Sequence, residues 1–179
     1  MTEFDRVVQF TMLMTESMSP VEVKKLANDL FRMGFFIAPA STKYHGAYPG
    51  GLFDHSFAVT KNLLRLTKNM NLKWEREESP YLVGMLHDLC KYDQYSATAD
   101  GGYEWVKDLP LPGHGEKSII LAHQLGVYLT EEEMLAIRWH MGAFDDKANW
   151  NCYGNAIRQY PNVLWAHTAD MMASHIQGV

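Results

Sequence analysis

The sequence predicts an all-α bundle carrying one small β-hairpin, and three observations predict it. Apolar residues recur at helical spacing through most of the chain, Ser-Pro and Thr-x-x-Glu signals open several of these runs, and strand-like patterning is confined to about residues 94–107. At 179 residues the chain suits one domain, residues 1–179, able to bury roughly 70% of the surface its unfolded form would expose. A hydrophobic fraction of 47%, with 12% aromatic residues, belongs to a packed chain and not to a disordered one.

Residues 4–18, with Phe4, Val7, Val8, Phe10, Met12, Leu13 and Met14, read as a first helix whose role is packing. The helix over 20–33 is better marked: Ser19 is its N-cap, Pro20 its first residue, Glu22 the far side of a capping box, and Gly34 its stop. Pro39, Gly46, Pro49, Gly50 and Gly51 then describe a loop carrying Tyr44, His45 and Tyr48. The next helix, about 52–70, puts His55, Val59, Leu63 and Leu66 on one stripe.

Ser79-Pro80 opens a helix in which Leu82, Leu86 and Leu89 surround His87 and Asp88. A buried carboxylate without a partner is costly, and a metal ion is one partner that would offset the cost. Gly84, one turn earlier on the same face, would leave room for an ion or substrate. Tyr95–Ala99 and Tyr103–Val106 about Asp100-Gly101-Gly102 read as the hairpin. Its Tyr95, Tyr103 and Trp105 either flank a ligand or pack the hairpin on the helices.

Pro110, Pro112 and Gly113 break the chain before a helix that begins at His114, continues through Ser118, Leu121 and Leu125, and stops at Gly126. Thr130 and Glu133 cap the helix holding Ile137 and His140, which Gly142 ends. Residues 143–160 read as a long polar loop with a short helix at 156–159. Pro161 introduces a last helix to Ile176 with Val163, Ala166, Asp170 and Ala173 facing inward.

A net charge of −5 argues against a dedicated polyanion binder, so a nucleic-acid partner is not expected, while small phosphorylated substrates stay open. The two cysteines, Cys90 and Cys152, suggest no disulfide framework. With neither a signal-peptide layout nor an apolar run near the ~20 residues of a membrane span, the expected location is cytoplasmic and no membrane partner is expected.

Collected, the inward polar residues of the later helices are His55, His87, Asp88, His114, His140 and Asp170. Imidazoles suit Zn, Fe, Ni and Co, and carboxylates also accept Mg and Mn and can bridge two ions, so one or two divalent metal ions are expected. Of the other histidines, His45 is a candidate substrate contact, His123 reads as structural, His167 as a partner that orients Asp170, and His175 as exposed.

This order of a histidine, a later His-Asp pair and a still later aspartate, here His55, His87-Asp88 and Asp170, resembles the HD-domain superfamily. The loop from Tyr44 to His55 is similar to the lead-in of some bacterial HD-domain phosphodiesterases and exoribonucleases, and His87-Asp88-Leu89-Cys90-Lys91 resembles the family's His-Asp-x-x-Lys. His114 and His140 fit the extra histidines of members with two metals. The resemblance covers about residues 44–175, with helices 4–18 and 20–33 expected to pack on that core.

It implies metal-dependent hydrolysis of a phosphate ester, of a nucleotide or another small phosphorylated substrate. A divalent ion can lower the pKa of its water from about 15.7 to nearer 7. Asp88 is the candidate to bridge two ions and Lys91 the candidate contact to a phosphate oxygen, the two forming the catalytic set. Lys91, His45, Tyr48, Trp150 and Arg158 are the substrate-binding candidates. The same ligand pattern also resembles HD-domain di-iron oxygenases of polyols or phosphonates, which is the alternative.

Overall fold

Capping chemistry starts the chain. In the computed structural model, which describes residues 1–111 and 113–179, Thr2 and Asp5 cap helix α1 (Glu3–Met14) reciprocally. Ser19 and Glu22 do the same for α2 (Pro20–Met33), which Gly34 ends at φ +84°. The remaining elements are α3 (Gly51–Asn69), α4 (Ser79–Leu86), β1 (Tyr95–Ala97), β2 (Tyr103–Trp105), α5 (Gly115–Gln124), α6 (Glu131–Arg138), α7 (Trp150–Gln159) and α8 (Asn162–Met171). Strands β1 and β2 pair antiparallel, Tyr95 opposite Trp105, as expected of the hairpin. Pro112, read as part of the break before α5, lies outside the described residues. No helix among the described residues is long and apolar enough to cross a membrane.

The core runs from Phe10, Phe35, Phe36 and Phe53 at the α1–α3 end, where the rings meet mostly edge to face, to Leu82, Leu86, Ile137 and Val163 in the middle. Helices α3 and α4 come together at Gly84. A Cβ there would lie 2.6 Å from Thr60 Cα and 2.9 Å from Thr60 N, both backbone atoms of α3. Gly84 therefore serves helix contact and does not make room for an ion, which corrects the expectation. Gly84→Ala should cost about 1–3 kcal/mol of stability, toward the upper end because the clash is with backbone, and urea unfolding would read it.

Several helix ends differ from the sequence reading. Ser79 is no N-cap: it lies inside α4, its hydroxyl buried without a hydrogen-bond partner among the described residues. The helix also stops at Leu86, and the chain continues through a 3₁₀ turn, Leu89–Asp93, so the His-Asp pair sits at a helix end and not mid-helix. The short helix expected at 156–159 begins at Trp150 and runs ten residues, because the thin apolar face of Tyr153, Ala156 and Ile157 suffices once it packs on the core. Finally α8 ends at Met171 and the chain widens into π turns over Met172–Gln177.

Candidate metal centre

Four imidazoles and two carboxylates converge where α3, α4, α6 and α8 meet the start of α5. Two of the histidines are displayed by the ends of their own helices. Gly84 O, which a continued α-helix would offer to the Asp88 N–H, instead accepts from His87 Nδ1 at 2.9 Å. His140 Nδ1 likewise donates to Ile137 O at 2.6 Å, just beyond α6. Both rings thus hang on helix C-termini, whose partial negative charge favours a cation nearby. On α3, His55 Nδ1 donates to Val179 O at 2.9 Å.

An unprotonated backbone oxygen can only accept, so in these three rings Nδ1 carries the proton and Nε2 is left with a lone pair. Those lone pairs face one another. His55 Nε2 lies 3.2 Å from His87 Nε2 and 3.2 Å from Asp170 Oδ1. His140 Nε2 lies 3.1 Å from His114 Nε2. Asp88 sits between the two pairs: its Oδ2 is 3.5 Å from both His55 and His87 Nε2, and its Oδ1 is 3.0 Å from His114 and 3.4 Å from His140 Nε2. Despite that closeness, Oδ1 is buried and accepts no well-angled hydrogen bond from any described residue.

Converging lone pairs around an orphaned carboxylate oxygen are what a cation would resolve. The donor sets His55–His87–Asp170 and His87–Asp88–His140 each keep their ligand atoms within 4.8 Å of one another, as do Asp88–Cys90–His114. Histidine and carboxylate together suit a borderline or hard divalent ion.

The charges fit the same reading. Burial by itself would raise the Asp88 carboxyl, but the Lys91 ammonium, 2.6 Å away, holds it well below the usual carboxylate range. Without a metal a proton does part of the work: burial opposes charge on His114, yet Asp88 and Cys90 beside it carry the ring up to about 9.

Above the cluster lies a cavity of about 450 Å³. Asp88, Lys91, His114 and Asp170 line its floor, His45 and Tyr95 its sides, and the exposed Tyr44, Trp105 and Phe144 its mouth. His45 stacks 4.9 Å from His55, and burial with the nearby positive charge pushes it down to about 4, so it is neutral near pH 7. Burial pushes Tyr95 up to about 12, keeping it a hydrogen-bond donor.

One curated protein resembles part of the chain. It is a dihydroneopterin 2′,3′-cyclic phosphate phosphodiesterase from Methanocaldococcus jannaschii, 33% identical over 70 residues. The match takes in 37% of this chain and 28% of that protein's length. No protein-family model matches the chain, and no solved structure does.

The structure brings together His55, His87, Asp88, His114, His140 and Asp170, and places Lys91 and His45 on the cavity. The other three substrate candidates lie outside its lining. Tyr48 stands beside the Arg6–Asp54 pair, Trp150 donates to Asp145 O at 3.2 Å, and Arg158 bonds Asn155 on the outer face of α7. His167 does not orient Asp170: its Nδ1 bonds His140 O at 2.7 Å, and its ring packs where a Cβ on Gly142 would be. His123 is exposed, and His175, also exposed, stands on the cavity rim.

Two contributors escaped the sequence reading. Cys90 Sγ lies 3.3 Å from His114 Nδ1 and so is the group that faces the outer nitrogen of that ring. Arg6 of α1 forks onto Asp54, the neighbour of His55, with two bonds of 2.9 Å. Its signal was present: Arg6, Phe10 and Leu13 share one helical stripe, so a charge sat on the packing face. Because only 5% of Arg6 is exposed, Arg6→Ala strands Asp54 and should cost on the order of 3 kcal/mol; thermal and urea unfolding would check it.

Proposed function

We propose that this chain is a metal-dependent phosphohydrolase acting on a small phosphate ester. The convergence of Nε2 lone pairs on Asp88, at the floor of an open cavity, carries the reading. His55, His87, Asp170, Asp88, His140 and His114 would hold one or two divalent ions, with Asp88 shared between the two groups of imidazoles. A divalent cation held there supplies Lewis acidity and hydroxide at neutral pH. Lys91 keeps its proton because Asp88 outweighs the effect of its burial, and it opens on the cavity as a point charge for a phosphate oxygen. His45 and Tyr95 can each add a hydrogen bond without adding charge.

The substrate is small and carries little charge. Apart from the metal, Lys91 is the one lysine or arginine among the described lining residues, and of the carboxylates there Asp88 and Asp170 would be taken up by the metal while Asp145 is paired with Arg138. That balance suits an ester of a single phosphate and disfavours a polyphosphate tail. The aromatic mouth suits a flat, partly apolar group on the ester. The substrate named for the relative, a pterin 2′,3′-cyclic phosphate, has one phosphorus with a single negative charge and a flat ring, and so meets both conditions.

The test is a hydrolysis screen of the protein loaded with Mn, Co, Ni, Fe, Mg or Zn against 2′,3′-cyclic nucleotides, aromatic phosphodiesters, nucleoside monophosphates and nucleoside triphosphates. Turnover of the single-phosphate esters that disappears with chelator is expected. Two bound irons with O₂ consumption and no phosphate-ester hydrolysis would overturn it in favour of an oxygenase.

A further inference from the structure

Each imidazole of the cluster needs a partner for its outer nitrogen, and the partners differ in origin. His87 and His140 take a carbonyl three residues back in their own helices, so their orientation forms as those helices form. His55 takes Val179 O, 124 residues away in sequence. Its orientation is set from outside its own helix.

The chain is built to deliver that oxygen. Asn62 lies two turns beyond His55 on the same face of α3, and it exchanges two hydrogen bonds with Gln177: Asn62 Nδ2 donates to Gln177 Oε1 at 3.1 Å, and Gln177 Nε2 donates to Asn62 Oδ1 at 3.0 Å. The π turns of Met172–Gln177 widen the end of α8 toward α3. Gly178, at φ +74°, then turns the chain so that Val179 N donates to Ala173 O at 3.1 Å while Val179 O faces His55.

We propose that Gln177 and Val179 are positioning residues for His55 as a metal ligand, so that closure of the segment Met172–Val179 on α3 and metal binding favour each other. The inference rests on the reading of the cluster as a metal centre. Fixing the Nδ1–H form of His55 keeps its Nε2 lone pair toward His87 and Asp170, the service that partners of ligating histidines perform. Linkage makes the effect reciprocal: a cation bound at Nε2 must tighten the segment by the factor by which the segment tightens the cation.

Gly178 offers a clean probe. A Cβ there meets no atom within 4 Å, so a substitution acts only through its positive φ. Valine is poorly tolerated in that conformation and asparagine is accepted. Mn(II) affinity of the full chain would be measured by titration calorimetry for the wild type, Gly178→Val, Gly178→Asn and Gln177→Ala. Hydrogen exchange of residues 172–179 and the ¹⁵N signals of the His55 ring would be followed with and without Mn(II).

Gly178→Val and Gln177→Ala should weaken Mn(II) binding by roughly 10- to 100-fold, Gly178→Asn should stay near wild type, and Mn(II) should slow exchange at the Val179 amide. The ring signals should report the Nδ1–H form in the wild type and a mixture of tautomers in Gly178→Val. Wild-type affinity in both Gly178→Val and Gln177→Ala, or an unchanged His55 tautomer in Gly178→Val, overturns the inference while leaving the metal centre standing. A wild type that binds neither Mn(II) nor Co(II) overturns both.

Discussion

Asp88→Asn should leave the protein unable to retain metal and lower kcat/KM on single-phosphate esters by on the order of 10⁴, the scale seen when one member of a catalytic unit is lost. The change is isosteric and exchanges one acceptor oxygen for a donor amide. In the wild type Oδ1 and Oδ2 each face two of the imidazole Nε2 atoms, and Oδ2 also binds Lys91. An amide can present only one oxygen to that ring of nitrogens and adds N–H groups that compete for the same lone pairs. Elemental analysis and Mn(II) titration would read the metal, and ester hydrolysis the activity. Stoichiometric metal with wild-type turnover would remove Asp88 from the centre of the site.

The variant should fold, since the apolar neighbours of Asp88 are unchanged. Losing the carboxylate while keeping Lys91, which is 11% exposed, leaves a nearly buried ammonium without its partner. Some loss of stability in the metal-free state is therefore expected. Comparing unfolding with and without Mn(II) separates that loss from the loss of ligand.

Most of the fold was legible because its signals are local. Ser19 with Glu22 and Thr130 with Glu133 announce helix starts in four residues, and the hairpin announces itself by its Asp-Gly turn. Helix ends near the site were not legible, for a physical reason. His87 and His140 terminate their helices with their own rings, and nothing in their immediate neighbours distinguishes such a histidine from one that continues the helix. The polar stretch 150–159 hid most of a helix because three apolar residues on one face count for little until a core exists to receive them.

The cluster itself could be collected from the sequence, since each member falls on an inward stripe or a helix end. What holds it could not. Val179 reaches His55, His167 reaches the backbone of His140, and Arg6 reaches Asp54, all contacts between residues far apart in the chain. The aromatic residues could not be ranked from sequence either: Trp150 and Trp105 both stood as candidates, and it is the folding back of the hairpin that brings Trp105 to the cavity.

Lys91→Met should move metal affinity and activity in opposite directions. Lys91 Nζ lies 2.6 Å from Asp88 Oδ2 and places a positive charge beside the atoms that would receive a cation. Two like charges a few ångströms apart repel by about 4 kcal/mol even at an effective dielectric near 20, so removing the ammonium frees Asp88 and should tighten Mn(II) at least about tenfold. Turnover should nonetheless fall by roughly 10²–10³, the cost of losing one electrostatic contact to the reacting group. Metal-free Lys91→Met should be less stable than wild type, since Asp88 then keeps only imidazoles for company, and should gain more stability from Mn(II). Calorimetric titration, kcat/KM on a single-phosphate ester and paired melting curves check the three parts. If instead affinity and activity fell together, Lys91 would be acting through the shape of the metal site and not as the cation that meets the substrate.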